Sequence, residues 1–375
     1  MRILLDARYL DGAFTGIGTY SREMIEHLSM VDHDNYYYVL VRAGFEGELE
    51  VGKNFEMLTY AHAPVSFATI FQLGNFVDSL DVDLMHSFFP VAPLRMKTPL
   101  IVTMHDLQPF LDPDFSARRP IVMQTLYNLF YHYIYPATMA KAKWVVNVSY
   151  YTRDAAADLF PEFAPKLIVA TSGLDEELLT PPTGDFEAAK KTYHLDKPFL
   201  LYYGSTRPNK NLPMIVRAFA RYVRDQNDTE TELVLILKKD RFFRDVTRAI
   251  RLEGIAQRVR VLDQVPAEDQ RVIIANARVF LFATKHEGFG FPALEAMAAG
   301  TPVIAGSSGA LPEICGDAAE FVNPDDRNAI ARAIGLLMTD EPRRKELIEK
   351  GRKRAAQFDW RETAERMKDI YRLLF

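Results

Sequence analysis

Glu287 and Glu295 bracket the run Glu-Gly-Phe-Gly-Phe-Pro-Ala-Leu-Glu. The stretch Gly288-Phe289-Gly290-Phe291 does not suit a regular helix. Pro292 suits the first turn of one, because its missing N–H would have had no partner there. Ala293 to Ala299 are helix formers, Gly300 is a fitting stop, and Thr301 to Ala305 read as a short buried strand. The spacing therefore predicts Glu287 in a loop and Glu295 in the first turn of the helix that follows. The free N–H groups of such a turn can hold an anion or bind sugar hydroxyls.

A second constellation lies in Gly204-Ser205-Thr206-Arg207-Pro208-Asn209-Lys210-Asn211, just past one apolar run and just before an amphipathic one. Gly204 lets the chain turn sharply, and Arg207 and Lys210 then fall near a helix start, where together they can neutralise a diphosphate. In Thr15-Gly16-Ile17-Gly18 two glycines allow backbone to approach a ligand. This is not the dinucleotide fingerprint, because Ser21 stands at the third glycine position and a long loop follows Asp6. His105, in Thr103-Met104-His105-Asp106, ends a strand run where α/β sites form. Asp106 either orients the imidazole or caps the next segment. His86 ends another strand and is as well read as structural. Asp81-Val82-Asp83 precedes its strand, which is the wrong side for a cation site at a ligand edge. Gly309 and its neighbours in Ser307–Glu313 offer a further helix start suited to phosphate contacts.

The elements that must carry these residues alternate along the whole chain. Strands are expected at Arg2–Asp6, Tyr36–Val41, Leu84–Ser87, Leu100–Met104, Trp144–Val148 and Leu167–Ala170, with helices at Ile17–Ser29, Phe67–Leu80, Ile121–Tyr135 and Tyr151–Leu159. The second half repeats the pattern, with strands at Phe199–Tyr203, Leu233–Leu237, Val259–Leu262, Val279–Phe282, Pro302–Ala305 and Ala319–Val322. Helices there include Asn211–Asp225, Phe243–Gly254, Asp269–Ala277 and Asn328–Thr339. Such alternation implies α/β architecture with parallel sheets. Thr180-Pro181-Pro182-Thr183-Gly184 is a turn-rich break between two Rossmann-like halves. The tail from Phe358 is amphipathic, with Trp360, Ala364, Met367, Ile370 and Tyr371 at near-helical spacing.

The Glu287–Gly306 segment, read with the Gly204…Lys210-Asn211 loop, resembles the signature of retaining glycosyltransferases of family 4. The resemblance covers nearly the full chain. It implies the GT-B fold: two Rossmann-like domains facing across a cleft, with a C-terminal helix crossing back to the first. Residues 1–180 would form the acceptor-side domain, 181–197 a linker, 198–358 the nucleotide-sugar-binding domain and 359–375 the returning helix. It further implies a catalytic set of His105, Glu287, Lys210 and Arg207. The substrate-binding set would be Gly16, Gly18, Gly204, Ser205, Gly288, Phe289, Gly290 and Glu295. Many family members carry a base directly after the glycine. Here that position is Ser205, and Arg207 is taken as the substitute. No metal and no cofactor is expected, since basic residues would stabilise the departing diphosphate. The Thr-Gly-Ile-Gly and Pro-Asn-Lys-Asn-Leu patterns resemble mannosyltransferases of polysaccharide assembly. They point to GDP-mannose as donor and a saccharide or lipid-linked saccharide as acceptor, with a UDP- or ADP-sugar as the alternative donor.

Composition agrees with an ordinary globular chain of two domains: 375 residues, 48% hydrophobic and 25% charged. The single Cys315 excludes a disulfide scaffold and a cysteine-based zinc cluster, and it suits a cytoplasmic setting. MRILLDARYL reads as a first strand, not a signal peptide, and no window is apolar enough to span a membrane. Residues 1–180 carry 13 Lys/Arg against 22 Asp/Glu, while 181–375 carry 32 against 28. That balance suits an anionic ligand in the second half and shows no basic stripe for nucleic acid. Residues 118–135, basic then aromatic, leave two readings open: a helix packed on the first sheet, or peripheral contact with the inner face of a membrane. Three other functions compete with the transferase. A hydrolase would use two carboxylates without the basic loop. A nicotinamide oxidoreductase would need the missing third glycine. A noncatalytic nucleotide-sugar-binding protein would bind donor without turnover.

Overall fold

The computed structural model describes residues 1–11, 16–117 and 119–374. The chain divides into two compact units. The first comprises residues 1–110, 121–173 and 359–375, and the second residues 111–120 and 174–358.

The first unit is built on a seven-stranded sheet. Its strands are β1 (Arg2–Asp6), β2 (Tyr36–Arg42), β3 (Phe55–Tyr60), β4 (Leu84–Ser87), β5 (Leu100–Met104), β6 (Trp144–Asn147) and β7 (Leu167–Val169). They are all parallel, in the order β3-β2-β1-β4-β5-β6-β7. The central strands β4 and β5 are buried along their whole length, as a sheet covered on both faces requires. β3 was not expected from the sequence. It is an edge strand whose pattern of exposed Glu56, Met57 and Thr59 lacks an apolar run. The stretch expected as one helix over Phe67–Leu80 is two short ones, Phe67–Phe71 and Leu73–Ser79, broken at Gln72. The helix begun at Ile121 does not stop before Pro136 but runs to Lys141. The buried Thr138 and Met139 on the far side of the proline hold that last turn and a half in place.

The tail behaves as its spacing predicts. Trp360–Arg372 is a helix whose Trp360, Ala364, Met367, Ile370 and Tyr371 are all buried, and it packs on the Gly16–Val31 helix of the first unit. Gly173 is where it lands: a Cβ there would come within 2.2 Å of the Trp360 nitrogen.

The second unit carries a six-stranded parallel sheet. Its strands are β8 (Phe199–Tyr203), β9 (Glu232–Ile236), β10 (Val259–Leu262), β11 (Val279–Phe282), β12 (Val303–Gly306) and β13 (Ala319–Val322). Their order is β10-β9-β8-β11-β12-β13. The order reverses at β8, so the loops after β8 and β11 leave neighbouring strands at the carboxyl edge. This is the switch point at which open α/β sheets bind ligands.

Candidate active site

The loop after β8 is shaped by its own residues. Gly204 has φ +141°, a conformation that L side chains rarely adopt, and it turns the chain out of the strand. The Tyr202 hydroxyl donates to the Ser205 carbonyl at 2.7 Å and holds the turn. Pro208–Lys210 form one 3-10 turn, and Asn211, at φ +60°, sets the start of the helix Leu212–Gln226. This loop is bound to the one after β11. The Asn209 amide donates to the His286 carbonyl at 2.9 Å, and the Lys285 N–H donates to the Asn209 carbonyl at 2.8 Å. The Asn211 amide donates to the carbonyls of Ala283 and Pro324, at 3.1 and 2.7 Å.

These bonds set Lys210 against Glu287. The ammonium stands 2.8 Å from each carboxylate oxygen and 5.2 Å from the Phe282 ring centroid. Both side chains are largely withdrawn from solvent, at 16% and 9% exposure. A third loop closes on the pair from β12. Gly309 has φ +72°, and a Cβ there would lie 2.8 Å from the Glu287 nitrogen, so only glycine lets this loop come so close. The Ala310 N–H then donates to the Glu287 carbonyl at 3.0 Å, and the Ser308 hydroxyl donates to the Lys285 carbonyl at 2.6 Å. Thr284 Oγ1, Asn209 Oδ1 and His286 Nδ1 are buried in these same loops with no hydrogen-bond partner among the described residues. Such orphaned groups are costly, and here they leave unused bonding capacity in the segments that hold the ion pair.

Glu295 lies deeper in its helix than its spacing suggested. The helix is Phe291–Ala298, so Glu295 is its fifth residue, past the first turn. Its carboxylate accepts a hydrogen bond from the Tyr203 hydroxyl at the end of β8. Burial raises the Glu295 pKa. The Tyr203 bond opposes that shift and Asp175 adds to it. Tyr203 is a site residue that sequence reasoning missed; its only signal was a tyrosine pair closing an apolar strand. Phe289 is buried and packs its ring on Phe291 and Phe358, at 4.7 and 5.8 Å. Gly290, at φ +114°, precedes the helix, and Gly288 is buried. Ser205 is half-buried. Arg207 is exposed and forms no ion pair among the described residues. A groove of about 750 Å³ borders the outer side of this loop, at Thr206, Pro208, Met214 and Arg217; neither Lys210 nor Glu287 lines it.

In the first unit, His105 follows β5. Its Nε2–H donates to the Phe88 carbonyl at 2.8 Å, and Tyr20 meets the ring edge-on at 4.7 Å. Burial pushes its pKa down to about 4, which leaves a neutral imidazole with Nδ1 as acceptor near neutral pH. Asp106 accepts the Gln108 N–H at 3.1 Å, the capping arrangement. His86 is structural: it bonds the Tyr371 hydroxyl at 2.7 Å and Thr103 Oγ1 at 2.9 Å, and so ties the tail helix to the sheet. Gly16 and Gly18 lie in the first turn of Gly16–Val31, with Gly18 buried. Thr15 lies outside the described residues.

No group of three or more His, Cys, Asp or Glu side chains among the described residues converges to hold a metal ion. Two α/β units on parallel sheets, with this loop-held lysine and carboxylates at a strand edge, fit the GT-B fold, and the comparisons with solved structures show that fold. Sucrose-phosphate synthase from Thermosynechococcus elongatus superposes over 100% of this chain and 99% of its own, with a TM-score of 0.76 at 22% identity. Anabaena Alr3699/HepE in complex with UDP and glucose gives 0.72 over 99% of each chain at 16% identity. Residues 14–178 match the model of Glycosyltransferase Family 4, and residues 185–354 match that of Glycosyl transferases group 1. The chain therefore carries a glycosyltransferase family 4 domain followed by a glycosyl transferases group 1 domain. O-antigen chain mannosyltransferase B of Escherichia coli is 27% identical over 283 residues, which are 73% of this chain and 70% of that protein.

Proposed function

We propose that the protein is a metal-independent, retaining mannosyltransferase that moves mannose from GDP-mannose to a saccharide or lipid-linked saccharide in polysaccharide or glycolipid synthesis. The observation that carries this reading is the Lys210–Glu287 pair at the carboxyl edge of the second sheet. Mannose is supported by the activity named for the Escherichia coli relative. A UDP-sugar is the second donor reading, favoured by the UDP and glucose held by the Anabaena neighbour.

In this reading the second unit takes the donor. Lys210 turns from Glu287 to the diphosphate, aided by Arg207 and by the N–H groups of Ser205–Arg207 and Ser308–Gly309, and stabilises the charge that grows on the leaving group. Glu287 then has two free oxygens for sugar hydroxyls and opposes the positive charge at the anomeric carbon. Glu295, held by Tyr203, accepts the ribose hydroxyls. His105, in the first unit, offers Nδ1 as an acceptor for a hydroxyl. The bond between the anomeric carbon and the phosphate oxygen breaks, the acceptor oxygen attacks from the same face, and its proton passes to that departing oxygen. Residues 1–180 are assigned to the acceptor.

A thermal-shift panel of nucleotide sugars identifies the donor. A ligand at a hundredfold excess over its dissociation constant stabilises the fold by about 2.7 kcal/mol. Proton NMR of the new linkage then reads its configuration. Retention supports the mechanism, and inversion overturns it. A sugar covalently attached to Glu287 would keep retention but replace same-face attack with double displacement.

A further inference from the structure

The helix Ile121–Lys141 of the first unit has two apolar faces. One packs inward through Tyr131, Ile134, Tyr135, Thr138 and Met139, all buried. The other carries Val122, Leu126, Leu129 and Tyr133, at 70, 56, 61 and 69% exposure. Their spacing of four, three and four places them in one line along the helix. No Asp, Glu, Lys or Arg occurs anywhere from residue 121 to 140. A surface helix ordinarily turns charged side chains to water, and this one turns none. Phe67 and Phe71, exposed and stacked 6.4 Å apart, lie on the first of the two short helices between β3 and β4. Right-handed crossovers put that helix and Ile121–Lys141 on the same face of the sheet.

We propose that this stripe is a docking face for a lipid bilayer, on which the helix lies flat with Val122, Leu126, Leu129 and Tyr133 in the headgroup–acyl boundary. The helix cannot cross: none among the described residues is long and apolar enough. Its size argues against a second copy of the chain. From Val122 to Tyr133 the helix rises about 17 Å, and at a width near 10 Å the stripe offers roughly 200 Å². A stable protein interface needs about 800 Å² from each partner. A strip of that size is enough for an interfacial helix, whose apolar side chains sink about 5–10 Å into the lipid. Charge bears on the kind of surface. The stripe is uncharged and residues 1–180 carry a net −9. Arg118, Arg119, Lys141 and Lys143 flank the stripe in sequence, but the stripe itself carries no charge, so the proposed attachment rests on its apolar side chains and does not depend on anionic lipid. This holds whichever nucleotide sugar is the donor.

Co-sedimentation of the full chain with phosphatidylcholine vesicles tests it. The protein is expected in the pellet. Binding should persist when salt is raised from 0.1 to 1 M, where the Debye length falls from about 10 to about 3 Å. Leu126→Gln with Leu129→Gln should weaken binding at least about tenfold without lowering the melting temperature, since both side chains face outward. In an independent measurement, Leu129→Trp should add emission that shifts to the blue on vesicles. Three results would overturn the proposal: protein left in the supernatant with these vesicles, binding that requires phosphatidylglycerol and is lost in salt, or a dimer in lipid-free sedimentation that the double substitution abolishes.

Discussion

The Lys210 ammonium lies equidistant, at 2.8 Å, from both oxygens of Glu287. In a site poorly reached by water, each charge satisfies the other. A donor must therefore exchange this contact for its own diphosphate and sugar.

That exchange gives the first expectation. Glu287→Gln frees Lys210, so the nucleoside diphosphate without its sugar should bind about tenfold more tightly while turnover falls. Lys210→Ala should weaken diphosphate binding and lower kcat by about 10²–10³-fold. Titration calorimetry and steady-state kinetics read both. Unchanged diphosphate affinity in Glu287→Gln would mean that the pair persists in the complex.

The pair also matters to folding. Removing one charge strands the other, at a cost of about 3 kcal/mol or more, whereas replacing both with apolar side chains removes much of that cost. Lys210→Ala should therefore be clearly less stable in urea than wild type, and Lys210→Met with Glu287→Leu should recover part of the loss. Equal destabilisation by the single and double variants would contradict a coupled pair.

Tyr203 is expected to position Glu295. Tyr203→Phe removes the hydrogen bond that opposes the upward pull of burial on the Glu295 pKa. The carboxylate should then protonate at higher pH. Ribose hydroxyls need the ionised form as acceptor, so donor KM should rise about tenfold, with kcat little changed, and its acid limb should move to higher pH. A loss of kcat at unchanged KM would reassign Glu295 to the chemical step.

Acid stability should carry the mark of two histidines. Burial lowers His86 to about 3 and His105 to about 4. Above the ordinary histidine value near 6.5 both are neutral, folded or unfolded, and contribute no pH dependence. Below it the unfolded chain takes up protons that the fold refuses, so stability falls as pH drops towards 4. Each histidine adds a slope of up to about 1.4 kcal/mol per pH unit. Urea melts between pH 7.5 and 4.5 should show this, and His86→Gln should flatten the slope.

Much of this was legible in the sequence, for local reasons. Apolar runs placed twelve of the thirteen strands among the described residues, and the spacing from Trp360 to Tyr371 gave the tail helix. β3 was missed because an edge strand need not be apolar. The last turns of the helix Ile121–Lys141 were missed because Pro136 signals a stop that packing overrides. Lys210 and Glu287 could each be marked as site residues, but their pairing joins residues 77 apart through a chain of asparagine bonds. Tyr203 and Glu295 are 92 residues apart. Such contacts depend on strand order at the sheet edge, which periodicity does not encode.

The most direct measurement is calorimetric titration of GDP-mannose into the wild-type chain and into Lys210→Ala, both in excess EDTA. Binding to wild type with the metal chelated, weakened at least about tenfold by the substitution, is the expected result. Binding that vanishes with EDTA and returns with magnesium, or that is indifferent to Lys210, would contradict a diphosphate held by this lysine in place of a metal ion.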